Sequence, residues 1–350
     1  MNSVDVVIPC YNYARFLSRC VSSVLQQQGV DVRVLIIDDA SSDDTPEASA
    51  RVAADPRVEF RRHERNRGHI ATYNEGLLDW ASADYCVLLS ADDALAPGAL
   101  ARAVRVMDGN PEVSMIFGFA LVFDDDAQLD GSTKLGLDDV RIITGPDFIR
   151  HCCAFANPVP TPTAIVRTRL QHQVGGYRAH LPHSGDMEMW MRLAGRGSVG
   201  VLRSVQAYYR WHGGNMGANY YDSQLGDLQE QLDACREFLE NVDNAKIDSA
   251  AMQDLVRKRI SEQAFWMASH AFDLGDLGRS GECLAFAAEH FPGIRTTKMW
   301  QRFRMKQALG HGLWKRLRPI LERARGRPAA IKPVRASHFR VGELMGWWPG

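Results

Sequence analysis

The sequence predicts an α/β fold built on a mainly parallel central sheet, followed by an α-helical C-terminal extension. Three observations carry this expectation. Short apolar runs alternate with helical patterns at intervals of roughly thirty residues or less, the rhythm of strands joined by crossover helices. Two of these runs end directly in paired carboxylates, Asp38-Asp39 and Asp92-Asp93, as expected of strands that carry charge to a sheet edge where ligands gather. After about Ser223 the strand signals stop, and helical patterns dominate from Gln224 to Arg325.

Taken in order, Val4 to Ile8 is a first strand, apolar apart from Asp5 and ended by Pro9. Phe16, Leu17, Cys20, Val21, Val24 and Leu25 recur at helical spacing, and Gly29 closes that helix. Val32 to Ile37 is a second strand. Thr45 is expected to cap the next helix, with Pro46 at its first position and Glu47 in its first turn. Val58 to Phe60 is a third strand, and Ile70, Tyr73, Leu77 and Leu78 mark a helix before the apolar run that ends at Leu89. Val113 to Phe123 is a further strand, Asp124 to Lys134 a polar loop, and Pro146 to Phe155 a helix. Three prolines make the stretch from Asn157 to Thr163 a stiff extended loop. Ala164 to Arg167 is a short strand. Ser184 starts a helix carrying Asp186, Glu188, Trp190 and Arg192, in which Trp190 reads as core and Glu188 with Arg192 as a surface ion pair. Val199 to Arg210 is extended, and Trp211 to Asn215 forms a glycine-rich loop. Ala264–Leu274 and Ser280–Phe291 read as an antiparallel helix pair turned at Gly275 to Gly278. The expected division is 1–222 as the α/β domain, 223–325 as a helical region and 326–350 as a partly ordered tail.

Composition narrows the function classes. The chain has 350 residues, 45% hydrophobic and 24% charged, with a formal net charge of -1, ordinary for a folded soluble protein. The charge is uneven: from Arg295 to Arg340 the cations are interrupted by one acid, Glu322. Without a nucleic-acid-binding motif beside it, that stretch does not argue for a nucleic-acid partner. Interleaved with Trp300, Phe303, Leu313, Trp314 and Leu317, it reads either as helices docked on the protein by their apolar faces or as a basic amphipathic surface for peripheral contact with an anionic membrane. The seven cysteines include no Cys-x-x-Cys pair, which fits free, buried thiols in a reducing compartment. No apolar run approaches the ~20 residues a spanning helix needs, and no signal peptide is evident, so the expected location is cytoplasmic or peripheral to a membrane facing the cytosol. Pro9-Cys10-Tyr11-Asn12 after the first strand lacks a glycine-rich dinucleotide fingerprint. The same absence weighs against a nucleotidyltransferase.

The motifs now add up. Val7-Ile8-Pro9-Cys10-Tyr11-Asn12, Asp38-Asp39-Ala40-Ser41, Asn66-Arg67-Gly68, Ser90-Ala91-Asp92-Asp93, Gly185-Asp186 and Tyr209-Arg210-Trp211-His212-Gly213-Gly214-Asn215 occur in that order. Together they resemble a family-2 glycosyltransferase over roughly Val4 to Met216. The resemblance implies the GT-A fold and inverting transfer of a sugar from a nucleotide-diphosphate sugar, a UDP-sugar before others, to an acceptor hydroxyl of a glycan or lipid-linked molecule. It implies that Pro9, Tyr11, Asp38 and Asp39 line the nucleotide, with Arg210 at the phosphates. Asp92 and Asp93 divide ribose and metal duties, either one able to be the metal ligand. His212 either completes the shell of a divalent cation, Mn or Mg, or contacts the diphosphate. Asp186 is the implied catalytic base, because one displacement at the anomeric carbon needs one group to take the acceptor's proton. The pathway expected from the family is polysaccharide or glycoconjugate biosynthesis. The alternative is a non-catalytic nucleotide-sugar-binding protein on the same fold, motivated by Ser90 and Gly185 at positions where acids are common.

Overall fold

The computed structural model describes residues 2–126, 139–215, 224–242, 246–324 and 341–349. Most of the loop expected at Asp124 to Lys134, and the tail from 326 to 340, lie outside them. The chain divides into two units, Met1–Asn215 with Asn241–Lys246 and Phe339–Gly350, and Met216–Glu240 with Ile247–His338.

The first unit is built on one sheet. Its strands are β1 (Ser3–Cys10), β2 (Asp31–Asp38), β3 (Val58–Arg62), β4 (Tyr85–Leu88), β5 (Ala94–Leu95), β6 (Val113–Phe123), β7 (Val140–Ile143), β8 (Ile165–Arg167), β9 (Ser198–Arg210) and β10 (Leu344–Met345). The order is β3-β2-β1-β4-β8-β6-β9-β5, with β7 on β9 and β10 on β6. The longer pairings, β1 with β2 and β4, β2 with β3, and β6 with β9, are parallel. Short β5, β7, β8 and β10 add antiparallel pairs. Burial on both faces explains the near-continuous apolar strands: Val4, Val6, Val7, Ile8, Leu35, Ile36 and Ile37 are fully buried, each contributing about 1.5–3 kcal/mol.

Asp5, the break in the first run, is buried because it is fully satisfied. Its carboxylate takes a two-point contact from Arg33 at 2.9 and 2.7 Å and the backbone N–H groups of Ser82 and Ala83. The helices expected around the first strands are present as α1 (Ala14–Leu25), α2 (Thr45–Val52) and α3 (His69–Asn74). Thr45 is the first helical residue and Asp44 the cap; the carboxylate of Asp43 accepts the Thr45 N–H at 3.0 Å. α3 continues as a π-helical turn, Glu75–Trp80. Gly76 lies there so close to β1 that a Cβ would collide with the Val7 side chain, so only glycine lets this turn approach the strand. Further on come α4 (Ala99–Gly109), α5 (Gly145–Phe155), α6 (Thr168–Val174) and α7 (Gly185–Ala194). Thr144 caps α5 by accepting the Asp147 N–H at 3.3 Å.

Two segments differ from expectation. Residues 341–349, read as tail, rejoin the sheet: Leu344 and Met345 pair with Leu121 and Ala120, and Trp347 stacks on His151 with centroids 3.8 Å apart. Val140–Ile143, not anticipated as structure, pairs with β9.

The second unit is helical. Helices Ser249–Leu274 and Leu277–His290 run antiparallel, since Ser280 Oγ donates to Ala268 O (2.8 Å) while Ser261 Oγ donates to Ala287 O (2.6 Å). Gly275, left-handed at φ +90°, makes the turn. The two basic helices that follow, Lys298–Leu309 and His311–Ala324, dock on that pair. Lys306 is buried against the rings of Phe272, Phe303 and Trp314 and donates to Ser269 O, and Trp314 Nε1 donates to Asp273. All seven cysteines are buried thiols. No helix among the described residues is long and apolar enough to cross a membrane.

Candidate active site

Because β2, β1 and β4 are parallel neighbours, their carboxyl ends open at the same edge of the sheet. There the two Asp pairs differ. Asp38 is fully buried, accepts the Ser41 N–H at 2.9 Å and faces Arg62 at 3.5 Å, which holds the turn after β2. Asp39 points into a different set of donors. Its Oδ1 accepts from Arg67 N (2.7 Å) and faces His63 Nδ1 (2.7 Å), and its Oδ2 accepts from Gly68 N (2.9 Å). A carboxylate offers roughly four acceptor positions, so these contacts leave room on Oδ2 for one more donor. Pro9 lies at the end of β1 and Tyr11 just past it, half exposed at 48%. Asn12 and Ala40 both take positive φ, 59° and 60°. Asn12 Oδ1 accepts the Ser42 N–H and Asn12 N donates to Ser41 Oγ, tying the two strand-end turns together.

Asp92 and Asp93 follow β4 and are 5% and 3% exposed. Residues more than a hundred positions later close on them from the end of β9. His212 Nε2 lies 3.0 Å from Asp92 Oδ2. Arg210 donates its backbone N–H to Asp93 Oδ1 and its Nε to Asp92 O, both at 2.9 Å, and pairs with Asp126. Its guanidinium is flanked by Phe16 and Phe123, 4.5 and 4.3 Å from the ring centres. Asn215, which the sequence reading gave no role, stabilises the loop: its Oδ1 accepts the His212 N–H at 2.6 Å and its Nδ2 donates to Arg210 O at 3.0 Å. Tyr13 and Phe16 of the first helical segment meet the His212 ring at 5.5 and 5.1 Å. Burial first, then the charge of Asp92, pushes the Asp93 carboxyl well above the ordinary carboxylate value.

Among the described residues no group of three or more His, Cys, Asp or Glu side chains is arranged to hold a metal unaided. What the site offers is a carboxylate and an imidazole in contact, Asp92 and His212, beside a second carboxylate whose charge is disfavoured. A hard cation that keeps most of its shell for substrate phosphates needs no more protein ligands than these. The residues therefore fit a metal shared with a diphosphate.

Asp186 occupies the first turn of α7. Its Oδ2 accepts from Asn157 Nδ2 (2.9 Å) and Thr161 Oγ1 (3.2 Å), and its Oδ1 from the Met187 N–H (2.6 Å). The proline-stiffened loop thus supplies partners for this carboxylate. Burial raises the Asp186 carboxyl above its ordinary value, against the opposing effect of those hydrogen bonds. Burial first, then the charges of Asp92 and Asp186, raises the phenol of Tyr73. Glu188 and Arg192 are not a surface pair: Glu188 is 1% exposed, and Arg192 joins it at 2.7 Å and donates to Gly176 O. Trp190 is buried, as expected.

Comparison with known proteins agrees with this layout. Residues 5–158 match the family model described as Glycosyl transferase family 2. An uncharacterized protein of Mycobacterium tuberculosis (strain CDC 1551 / Oshkosh) is 30% identical over 204 residues, covering 56% of this chain and 63% of that protein. The chondroitin synthase of Pasteurella multocida (strain Pm70) is 26% identical over 225 residues, covering 63% of this chain and 22% of the synthase. The chain thus spans less than two thirds of the length of either relative. Among solved structures, S. aureus TarS 1–349 in complex with UDP-GlcNAc matches with a TM-score of 0.59 at 14% identity, over 99% of both chains. The mannosyltransferase PcManGT from Pyrobaculum calidifontis, in complex with GDP-Man and Mn2+, matches with a TM-score of 0.53 at 16% identity, over 91% of this chain and 87% of that one. These likenesses establish the GT-A fold.

Proposed function

We propose that the chain, whose residues 5–158 match the model of glycosyltransferase family 2, is an inverting glycosyltransferase that moves a sugar from a nucleotide-diphosphate sugar to an acceptor hydroxyl. The observation that carries this is the closure of His212 and Arg210 onto Asp92 and Asp93 at the edge where Asp39 also lies. Residues 1–222 would form the catalytic domain. Asp39 offers an acceptor to a nucleobase N–H, Pro9 and Tyr11 border the base, and Asp38 holds the turn that presents Asp39. Asp92, Asp93 and His212 would hold Mn or Mg. When bound, the cation would offset the negative charge of the leaving nucleoside diphosphate. Arg210, locked by Asp126 and two aromatic rings, keeps the two carboxylates in register and brings positive charge to the phosphate side. Asp186, fixed by Asn157 and Thr161, takes the proton of the acceptor hydroxyl during displacement. A raised carboxyl pKa suits a general base, since it makes the anion a better proton acceptor.

The UDP-GlcNAc and GDP-Man complexes of the structural neighbours support a nucleotide-sugar donor, with a UDP-sugar the first to test. The Mn2+ in one of them supports manganese over magnesium as the first metal to try. The chondroitin synthase relative supports a glycan acceptor and a place in polysaccharide or glycoconjugate biosynthesis. In the helical unit, Met305, Leu309, Leu313 and Ile320 are exposed among exposed Arg302, Arg304, Lys315 and Arg316. That surface supports peripheral contact with an anionic membrane, which suits a lipid-linked acceptor and a cytoplasmic location.

The test is release of nucleoside diphosphate from a panel of UDP- and GDP-sugars with Mn, with and without glycan and lipid-linked acceptors. Acceptor-dependent release that is lost in Asp186→Asn is expected. Donor binding with no turnover on any acceptor would favour the non-catalytic alternative.

A further inference from the structure

Asp39 is held by a partner that the proposed reaction does not use. His63 follows β3 and its side chain is 7% exposed. Its backbone N–H donates to Asp38 O at 2.9 Å, which pins it against the end of β2. Both ring nitrogens face carboxylates: Nδ1 lies 2.7 Å from Asp39 Oδ1, and Nε2 lies 3.0 Å from Glu75 Oε2. A neutral imidazole has one N–H and can donate to only one of them; the imidazolium donates to both. Two guanidiniums share Glu75 with the ring, and their charge opposes a cation there, so the two carboxylates must outweigh it. Arg67 Nη1 reaches Glu75 Oε2 at 2.6 Å and stands 3.4 Å from His63 Nε2, while Arg61 approaches Glu75 from the strand side at 3.9 Å. Glu75 itself belongs to the π-helical turn, so the cluster joins β2, β3, the Asn66–Gly68 loop and that turn.

We infer that His63 is a positioning residue for donor binding: as an imidazolium bridging Asp39 and Glu75, it fixes the Asp39 carboxylate for contact with the nucleobase. This rests on the reading of Asp39 given above. Loss of the ring proton would leave a nitrogen lone pair facing either Glu75 or Asp39, and the bridge would loosen. Donor affinity then falls as pH rises through the titration of His63, while the proton transfer at Asp186 is untouched. His63 would thus make affinity, rather than turnover, the pH-sensitive quantity.

Two readouts test this. Long-range 1H–15N spectra of the nucleotide-free protein report whether both His63 nitrogens carry protons, and at what pH one is lost. Calorimetry across the same pH range gives the Kd of UDP, GDP, CDP and dTDP with Mn for wild type, His63→Gln, Glu75→Gln and Asp39→Asn, each checked for folding by circular dichroism. The expected result is a doubly protonated ring at low pH and a wild-type Kd for the tightest nucleotide that rises about tenfold as the proton leaves. His63→Gln should bind about tenfold more weakly at low pH and lack that rise; the nucleotide's own titration is common to both proteins and cancels. Glu75→Gln should bind within twofold of wild type at low pH but lose the proton at a lower pH. A ring that is neutral throughout, a His63→Gln variant within twofold of wild type with the same pH profile, or an unchanged proton loss in Glu75→Gln would each overturn the inference. Asp39→Asn separates the two levels. If it binds nucleotide as wild type does, the base contact itself fails; if it loses binding while His63→Gln keeps it, only the role of His63 fails.

Discussion

At the scale of single residues, the proposed base is Asp186. Its hydrogen bonds from Asn157, Thr161 and Met187 favour the anion, yet burial outweighs them and its carboxyl is raised above the ordinary value of 3.8. A base must be ionised to act, so turnover should appear as pH rises through that raised pKa and fade in acid below it. The kcat profile is expected to show an acid limb above 3.8, and Asp186→Asn to lose about 10²–10⁴ in kcat with nucleotide affinity within a few-fold of wild type. Nucleotide binding lost together with turnover would instead mark Asp186 as structural. The residue scale is also where the sequence was least decisive. Two adjacent carboxylates after a strand announce a functional edge, but successive residues point to opposite sides. Nothing in Asp38-Asp39 said which one faces Ser41 and Arg62 and which one faces His63 and Gly68. The roles of His63, Asn157 and Thr161 could not be read locally, because they depend on partners 12 to 29 positions away.

At the scale of elements, α7 is held by an ion pair that the i,i+4 rule located and misplaced. The spacing showed that Glu188 and Arg192 meet; it could not show that their helix face is buried, because Met187, Met189 and Met191 make the helix apolar nearly all round. Arg192 also reaches back to the carbonyls of Val174 and Gly176, so the pair anchors the helix that carries Asp186. Glu188→Ala leaves that largely covered guanidinium without its anion and should cost about 3–5 kcal/mol. Urea denaturation would show this as a lower midpoint with an unchanged slope. A loss under about 1 kcal/mol would mean that the pair is solvated after all. The long apolar strands were legible because burial on both faces writes a continuous hydrophobic run. β5, β7 and β10 were not: two to four residues carry no period, and β7 is mostly exposed.

At the scale of the whole molecule, the alternation of strands and helices through β4, and β6, α5, β8, α7 and β9 after it, could be read from apolar runs and turn residues, whereas α4 and α6 were not expected. The return of the far C-terminal segment to the sheet could not, since it is a pairing of Leu344 and Met345 with strand residues more than two hundred positions earlier. Glu343 O accepts from Val122 N and Gly342 N donates to Val122 O, so this segment occupies the open flank of β6. Deleting residues 341–350 should bare that edge, lower the thermal midpoint by several degrees and promote self-association. Light scattering and a melting curve would check it; an unchanged, monodisperse protein would show that the strand is dispensable. The helical unit was legible in type, by loss of strand signals and by Gly275, but the burial of Lys306 within three aromatic rings was not.

The central claim is that the sheet edge formed by Asp39, Asp92, Asp93 and His212 is a metal-assisted site for a nucleoside diphosphate. It is tested most directly by calorimetric titration of UDP, GDP, dTDP and CDP with Mn and then with chelator, for wild type and Asp92→Ala. The account predicts that one nucleotide binds, that chelation weakens it at least tenfold, and that Asp92→Ala removes the effect of metal while the protein stays folded. Binding that ignores both chelator and Asp92→Ala, or no binding of any of the four by a folded wild-type protein, would contradict it.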